Sequence, residues 1–322
     1  MLWKKAARTL LHKMGGLAVL RQMHRHEFGV LMFHSFSERE QANVEAICTH
    51  IASNFEPISL SEMVERLERG TKLPGNALTI TVDDGYKNFL LHAHSIFRRH
   101  RIPVTVFPVT GFVDGRIWLW PDRIEFGLQH TAKTSLRVEM PGKSPLELAL
   151  ASPEQKQRAM SILSEMLKEV PNPQRLDFLE GFGRLCGVDI PLAPPKHRAA
   201  MTWQDLRAVA SEGVEIGCHT DSHPILSQLT APELDREIRG AKELLDKRLG
   251  FHVRHFCYPN GRDIDIGELA IASVREAGFA SAVTCSWGFN TAAAEPLRIR
   301  RIPFDSTINF QYGVELLAGL HM

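Results

Sequence analysis

Seven short apolar runs, separated by stretches with helical periodicity, leave this chain few folds to choose from. Phe28–Phe33, Leu78–Val82, Pro103–Val109, Val214–Cys218, Arg254–Tyr258, Ala280–Thr284 and Arg298–Ile302 read as strands. They are mostly apolar rather than alternating, the pattern of strands covered on both faces, which implies parallel pairing with helices packed outside. A closed βα barrel and a doubly wound sheet both satisfy this pattern. Ser59 with Glu62, Thr202 with Asp205 and Thr230 with Glu233 have capping-box spacing and mark helix starts. Gly70, Gly250 and Gly278 follow helical patterns and mark their ends.

The rhythm breaks once. Residues 114–199 separate the third strand from the fourth, open on Trp118-Leu119-Trp120-Pro121 and close on Pro191, Pro194 and Pro195. That is too long for a loop, and we read it as a mainly helical insertion beside the site. With 322 residues, 38 Lys+Arg and 37 Asp+Glu, the net charge of +1 excludes a global field that would favour nucleic acid. The charge is unevenly placed: Lys4, Lys5, Arg8, Lys13, Arg21 and Arg25 all precede the first acid, Glu27. Interleaved with Leu2, Trp3, Leu10, Leu11, Met14, Leu17 and Leu20, they read as a basic amphipathic helix over residues 1–27. Either residues 1–26 rest on an anionic membrane surface or the helix packs, solvated, against the domain. Five scattered cysteines without CxxC spacing argue against a disulfide framework and a thiolate zinc site, and favour a reducing compartment. The expected location is therefore cytoplasmic, peripheral to the inner face of the cell membrane if the first helix is an anchor.

Two constellations stand at strand C-termini, where parallel α/β folds collect ligands and catalysts. Asp83 and Asp84 end the strand from Leu78 and precede Gly85. Adjacent carboxylates in a dry setting repel each other and resist ionisation unless a cation or a division of roles compensates them. The plainer reading is that one of them caps the helix beginning near Tyr86. The second constellation is His219 and His223, four apart after the strand Val214–Cys218. Two such imidazoles converge readily on one zinc-like ion. Taken together the two suggest Asp84, His219 and His223 as metal ligands and Asp83 as general base, a set suited to amide or ester hydrolysis. A third segment, Phe256 to Arg262, ends a strand in a Pro259-Asn260-Gly261 turn whose amides either stabilise an oxyanion or form a plain turn.

In order and position, Asp83-Asp84-Gly85, His219 to His223 and Tyr258-Pro259-Asn260-Gly261 resemble the first three motifs of the polysaccharide deacetylases, the NodB-homology carbohydrate esterases. The resemblance spans about residues 28 to 305 outside the insertion. It implies a deformed (β/α)7 barrel over residues 28–310 with the insertion at 114–199, and a C-terminal tail at 311–322. It also implies metal-dependent removal of an acetyl group from an N- or O-acetylated sugar of a cell-envelope polysaccharide or lipid-linked glycan, with Zn2+ as the expected ion. By the same resemblance Asp83 is the base, Asp84, His219 and His223 hold the metal, and the Tyr258 backbone amide helps to hold the oxyanion. Val30 to His34 resembles an opening segment of one branch of the family and brings His34 toward the site.

The pattern departs from the family at the last strand. Leu297 to Pro303 contains three arginines where family members usually offer a Leu-x-His general acid. Protonation of the leaving group is then open to His34 or an insertion residue, and an arginine serves only to bind, being too basic to donate. Cys218 and Cys257 read as buried small hydrophobes, and Trp118, Trp120 and Trp287 as core first and sugar-stacking second. Two other functions fit the same residues: hydrolysis of a small non-sugar amide, and a non-catalytic glycan-binding barrel.

Overall fold

The computed structural model describes residues 16–320. The proposed N-terminal foot lies largely outside them; within them a helix, Gly16–Met23, leads into the first strand. Ten strands follow: β1 Gly29–Phe33, β2 Glu56–Pro57, β3 Ala77–Asp84, β4 Val104–Pro108, β5 Ser135–Val138, β6 Leu146–Ala149, β7 Glu215–Ile216, β8 His255–Cys257, β9 Ser281–Trp287 and β10 Ile299–Pro303. Seven of them pair in parallel in the order β7-β4-β3-β1-β10-β9-β8, and β2 adds a short edge to β3. These seven are the strands expected from the apolar runs. The two ends of this sheet meet. Cys218, just past β7, bridges Phe256 in β8, donating its amide to the His255 carbonyl and accepting from the Cys257 amide, both at 2.9 Å. The sheet is thereby a nearly closed (β/α)7 barrel rather than a doubly wound sheet.

Two apolar layers hold it. Inside, Val30, Phe107, Cys257, Val283 and Ile299 come from five different strands and meet Met63 and Val64 of the helix Leu60–Glu68. Outside, Leu31, Ile80, Val106 and Phe256 pack under the surrounding helices, including the stripe Leu234, Ile238, Ala241 and Leu245 read from the sequence. The expected caps form: Ser59 Oγ accepts from the Glu62 amide at 3.1 Å, and capping boxes open the helices at Thr202 and Thr230.

The 114–199 segment contains the helices Trp120–His130, Pro153–Lys168 and Asn172–Cys186 around an apolar cluster of their own, with Ile124, Leu163 and Phe182 at its centre. It also contains what the mainly helical reading left out, the antiparallel hairpin β5–β6. Its strands have four residues each, and in β5 only Leu136 and Val138 turn inward, too short a pattern to register against helical neighbours. The stretch from 311, expected as a tail, starts inside a helix, Phe310–Leu317. Asn309 caps it and Leu316 and Leu317 join the outer layer. Among the described residues no helix is long and apolar enough to cross a membrane.

Closure of the barrel depends on close backbone approach at Gly217. A Cβ there would stand 2.3 Å from the Phe107 ring and 2.9 Å from the His255 carbonyl oxygen. Gly217→Ala is expected to destabilise the fold by about 1–3 kcal/mol through overpacking. Denaturant unfolding measures this, and Phe107→Leu should recover part of the loss if the ring is the obstacle.

Candidate metal centre and catalytic cavity

β3 delivers two adjacent carboxylates to opposite fates. Asp83, 1% exposed, is gripped by the fully buried Arg301 of β10: Nη1 donates to Oδ1 at 2.7 Å and Nη2 to Oδ2 at 2.8 Å. Arg301 Nε also donates to the Thr284 carbonyl at 2.7 Å, and Nη1 to Thr81 Oγ1 at 3.0 Å. Burial alone would raise the Asp83 pKa, but the charge and hydrogen bonds of Arg301 hold it well below the ordinary carboxylate range. Asp84 turns the other way through a left-handed backbone, φ 72°. Its pKa is pushed well up, first by burial and then by the neighbouring Asp83 charge.

His219 and His223 converge on Asp84. Their Nε2 atoms lie 3.6 and 3.7 Å from Asp84 Oδ1. Such separations suit ligand atoms held about 2.0–2.2 Å from one ion. His219 Nδ1 donates to the Cys257 carbonyl at 2.7 Å, which leaves its Nε2 lone pair facing the group. Burial lowers the pKa of both histidines, that of His219 to about 4, so both are neutral near pH 7 as ligands should be. Asp84 Oδ1 is buried with no hydrogen-bond partner among the described residues. A buried carboxylate oxygen left unmatched, facing two neutral imidazoles, is a donor set that fits a divalent cation. Asp83, His219 and Cys257 also lie close enough to share an ion. That trio fits poorly, because Arg301 occupies both Asp83 oxygens and donates to Cys257 Sγ at 3.2 Å, so a cation there would face a guanidinium.

The loop carrying the histidines is held in an unfavourable shape. Thr220 and His223 both have left-handed backbones, φ 67° and 54°, uncommon for a residue other than glycine and least favourable for the β-branched Thr220. Thr220 Oγ1 accepts from the His223 amide at 3.0 Å. From outside the loop, Glu237 accepts from the Asp221 and Ser222 amides at 3.0 and 2.8 Å, and Trp120 Nε1 donates to the His223 carbonyl at 3.2 Å. Glu237 sits in a π turn, Arg236–Gly240, that interrupts the helix behind the loop.

These groups open into a cavity of about 440 Å³. Barrel residues His34, Asp83, Asp84, His219 and His223 line one side of it, and Leu119, Pro121, Asp122 and Lys168 from the 114–199 segment line the other. His34, half exposed, places Nε2 3.8 Å from Asp83 Oδ2.

Residues 193–282 match the family model for polysaccharide deacetylase. That stretch holds His219, His223 and Tyr258 but not the Asp pair. No curated protein sequence matches the chain. Its fold is similar to the Streptococcus pyogenes deacetylase PplD in complex with acetate (16% identity, TM-score 0.58, covering 92% of this chain and 99% of that one). It is also similar to IcaB from Ammonifex degensii (17%, 0.56, 91% and 97%) and to the BpsB deacetylase domain from Bordetella bronchiseptica (16%, 0.54, 87% and 96%). The chain resembles the polysaccharide deacetylases. At these identities the structural likeness is one of fold.

Within this deacetylase-like barrel one expected role needs correction. The Tyr258 amide, expected to hold an oxyanion, is already engaged: it donates to the Val283 carbonyl at 3.2 Å, extending the β8–β9 pairing, and the hydroxyl donates to the Leu297 carbonyl at 3.1 Å. Two residues on, Asn260 lines the cavity and its buried Nδ2 has no partner among the described residues. It is the free donor of this turn, and its place in the Tyr-Pro-Asn-Gly segment was the available signal. Arg301 was visible only as one of three arginines in the last strand. Asp122 had no signal: it accepts from Tyr86 Oη at 2.8 Å, lies 3.3 Å from Arg198, and burial pushes its pKa up to about 6 against the pull of Arg198. Trp118 and Trp120 are buried, while Trp287 stays 39% exposed.

The unmatched Asp84 generates a trade between stability and binding. Its raised pKa means that ionisation costs folding free energy as pH climbs above the ordinary carboxylate value. In chelator at pH 7, Asp84→Asn should therefore unfold later than the parent, by about 1–3 kcal/mol, while losing zinc binding in a calorimetric titration. A less stable variant, or one that still binds zinc, counts against this ligand set.

Proposed function

We propose that the protein is a metal-dependent deacetylase that hydrolyses the acetyl group of an N- or O-acetylated sugar in a cell-envelope polysaccharide or lipid-linked glycan, with Zn2+ held by Asp84, His219 and His223. The observation that carries this reading is the convergence of those three residues beside an ionised Asp83 in one cavity. The family match and the fold support it. When bound, a divalent ion lowers the pKa of a coordinated water toward about 7 and polarises a carbonyl.

The chain's own groups supply the proton handling. Arg301 keeps Asp83 charged throughout the neutral range, so Asp83 is the base for the attacking water. A carboxylate held this acidic keeps a proton only briefly. His34, 3.8 Å away and open to the cavity, has its pKa lowered by desolvation and is therefore a neutral imidazole, positioned to take that proton from Asp83 and pass it to the departing sugar nitrogen or oxygen. It replaces the acid that the last strand lacks, since Arg301 stands on that strand as the clamp on the base. Asn260 Nδ2 is placed to donate to the developing oxyanion. The 114–199 segment closes one wall over the reacting group, consistent with a sugar entering from the open side.

Acetate release from N-acetylglucosamine oligomers tests this. Release should require zinc and stop with chelator. Asp83→Asn should abolish it, and Asn260→Ala should lower kcat by about 10²-fold with little change in KM. His34→Gln should lower kcat by about 10²-fold or more and remove one limb of its pH profile. Chelator-insensitive release, or full activity in Asp83→Asn, would overturn the proposal.

A further inference from the structure

A second cavity, of about 270 Å³, lies on the far side of the Trp118-Leu119-Trp120-Pro121 segment. Successive residues of that segment face opposite ways: Leu119 and Pro121 line the metal cavity, Trp118 and Trp120 the second one. The two cavities share no lining residue and are separated by this segment, which runs into the first turn of the helix Trp120–His130.

Three arginines, Arg116, Arg123 and Arg175, line the second cavity. Arg116 is balanced by Asp114 and Asp221. The other two take part in no ion pair among the described residues. Arg123 Nη2 donates only to the Leu179 carbonyl, at 3.2 Å. Arg175 is 2% exposed; its Nη2 donates to Asn172 Oδ1 at 2.5 Å, and its guanidinium lies 5.7 Å from the Trp120 ring centroid. Its Nε and Nη1 are buried with no hydrogen-bond partner among the described residues. Glu237, the acid that acts on it from a distance, already accepts from the Asp221 and Ser222 amides and the Ser222 hydroxyl. Burial pushes the Arg175 pKa down to about 10, a sign of what the unpaired charge costs. At the cavity edge the chemistry changes: Leu192 is fully exposed and Leu176 49% exposed, beside Ile190 and Pro191.

We propose that this cavity is a binding site for a phosphate group carried on an apolar chain. Two guanidinium groups with no carboxylate in contact, Glu180 and Glu237 acting on them only from a distance, match a doubly charged oxyanion, to which each offers N–H donors. A carboxylate would balance only one of them. The exposed leucines give an attached alkyl chain a place to leave water, which accounts for large apolar side chains at the lip of a cationic pocket. The site rests on residues outside the metal centre and holds whether or not the acetyl chemistry does.

Calorimetric titration of the full-length zinc-loaded protein with hexyl phosphate, inorganic phosphate and hexanol tests the proposal without any turnover. Hexyl phosphate should bind about ten-fold or more tightly than inorganic phosphate, the effect of roughly two buried methylenes, and hexanol should not bind. Arg123→Gln should weaken both phosphates by about ten-fold, and Leu192→Ser should reduce the preference for the alkyl form alone. Arg175→Met should lose phosphate binding while unfolding no earlier than the parent in phosphate-free buffer, because it removes an uncompensated buried charge. If that variant fails to fold, the Arg123→Gln titration decides. Absence of binding at millimolar phosphate, or unchanged affinity in Arg123→Gln, overturns the site. Equal affinity for both phosphates overturns the apolar part and leaves a site for free phosphate.

Discussion

Asp83 and Arg301 are two full charges sealed inside the barrel, and much of the interior is arranged around keeping them there. Taking such a pair out of water is costly, and the attraction repays it only when every donor and oxygen is matched. Here the match is nearly complete: both carboxylate oxygens are taken, and the remaining guanidinium donors reach β9 and β3. Thr81, which receives one of them, itself donates to the Leu31 carbonyl at 2.7 Å and so brings in β1. A single side chain from β10 thus fixes the relative position of four strands at the end of the barrel where the chemistry is. The clamp also separates two neighbouring acids that would otherwise share one environment. Asp83 is forced to stay charged, while Asp84, one peptide further, is disfavoured as a carboxylate by burial and by the Asp83 charge, a division by environment.

The histidine loop follows the same logic on a smaller scale. Left-handed Thr220 and His223 are conformations that a free loop would abandon, and each costs on the order of 1–3 kcal/mol. They persist because the loop is tied at several points, by Glu237 below, by Trp120 from the 114–199 segment, and by Thr110 and Gly111, whose amides donate to the Thr220 and Asp221 carbonyls. His219 and His223 therefore owe their aim both to Glu237, nearby in the chain, and to Thr110, Gly111 and Trp120, about a hundred positions away.

This explains what could be read in the sequence and what could not. Apolar runs and capping boxes are local patterns, and all seven barrel strands and three helix starts were visible in them. Asp83, Asp84, His219 and His223 were visible because their chemistry is improbable without a purpose. The partners of those residues were not. Arg298 lies before β10, and Arg301 is distinguished from Arg300 only by which face of the strand it takes, beside a register shift between β9 and β10. The Tyr258 amide looked free until strand pairing claimed it, and Asn260 became a candidate only once its amide group was seen to be buried without a partner. Each of these facts is settled by strand pairing or burial, which no local pattern in the sequence records.

The bond from His219 Nδ1 to the Cys257 carbonyl was described as orienting an imidazole, yet it also crosses the joint between β7 and β8. That joint is the barrel's loosest seam, a two-residue strand meeting a three-residue one through a lone bridge at Cys218. An ion drawing on His219 would pull on the same ring that staples the seam. His219 would then serve two ends at once, an ion through Nε2 and the joint between β7 and β8 through Nδ1.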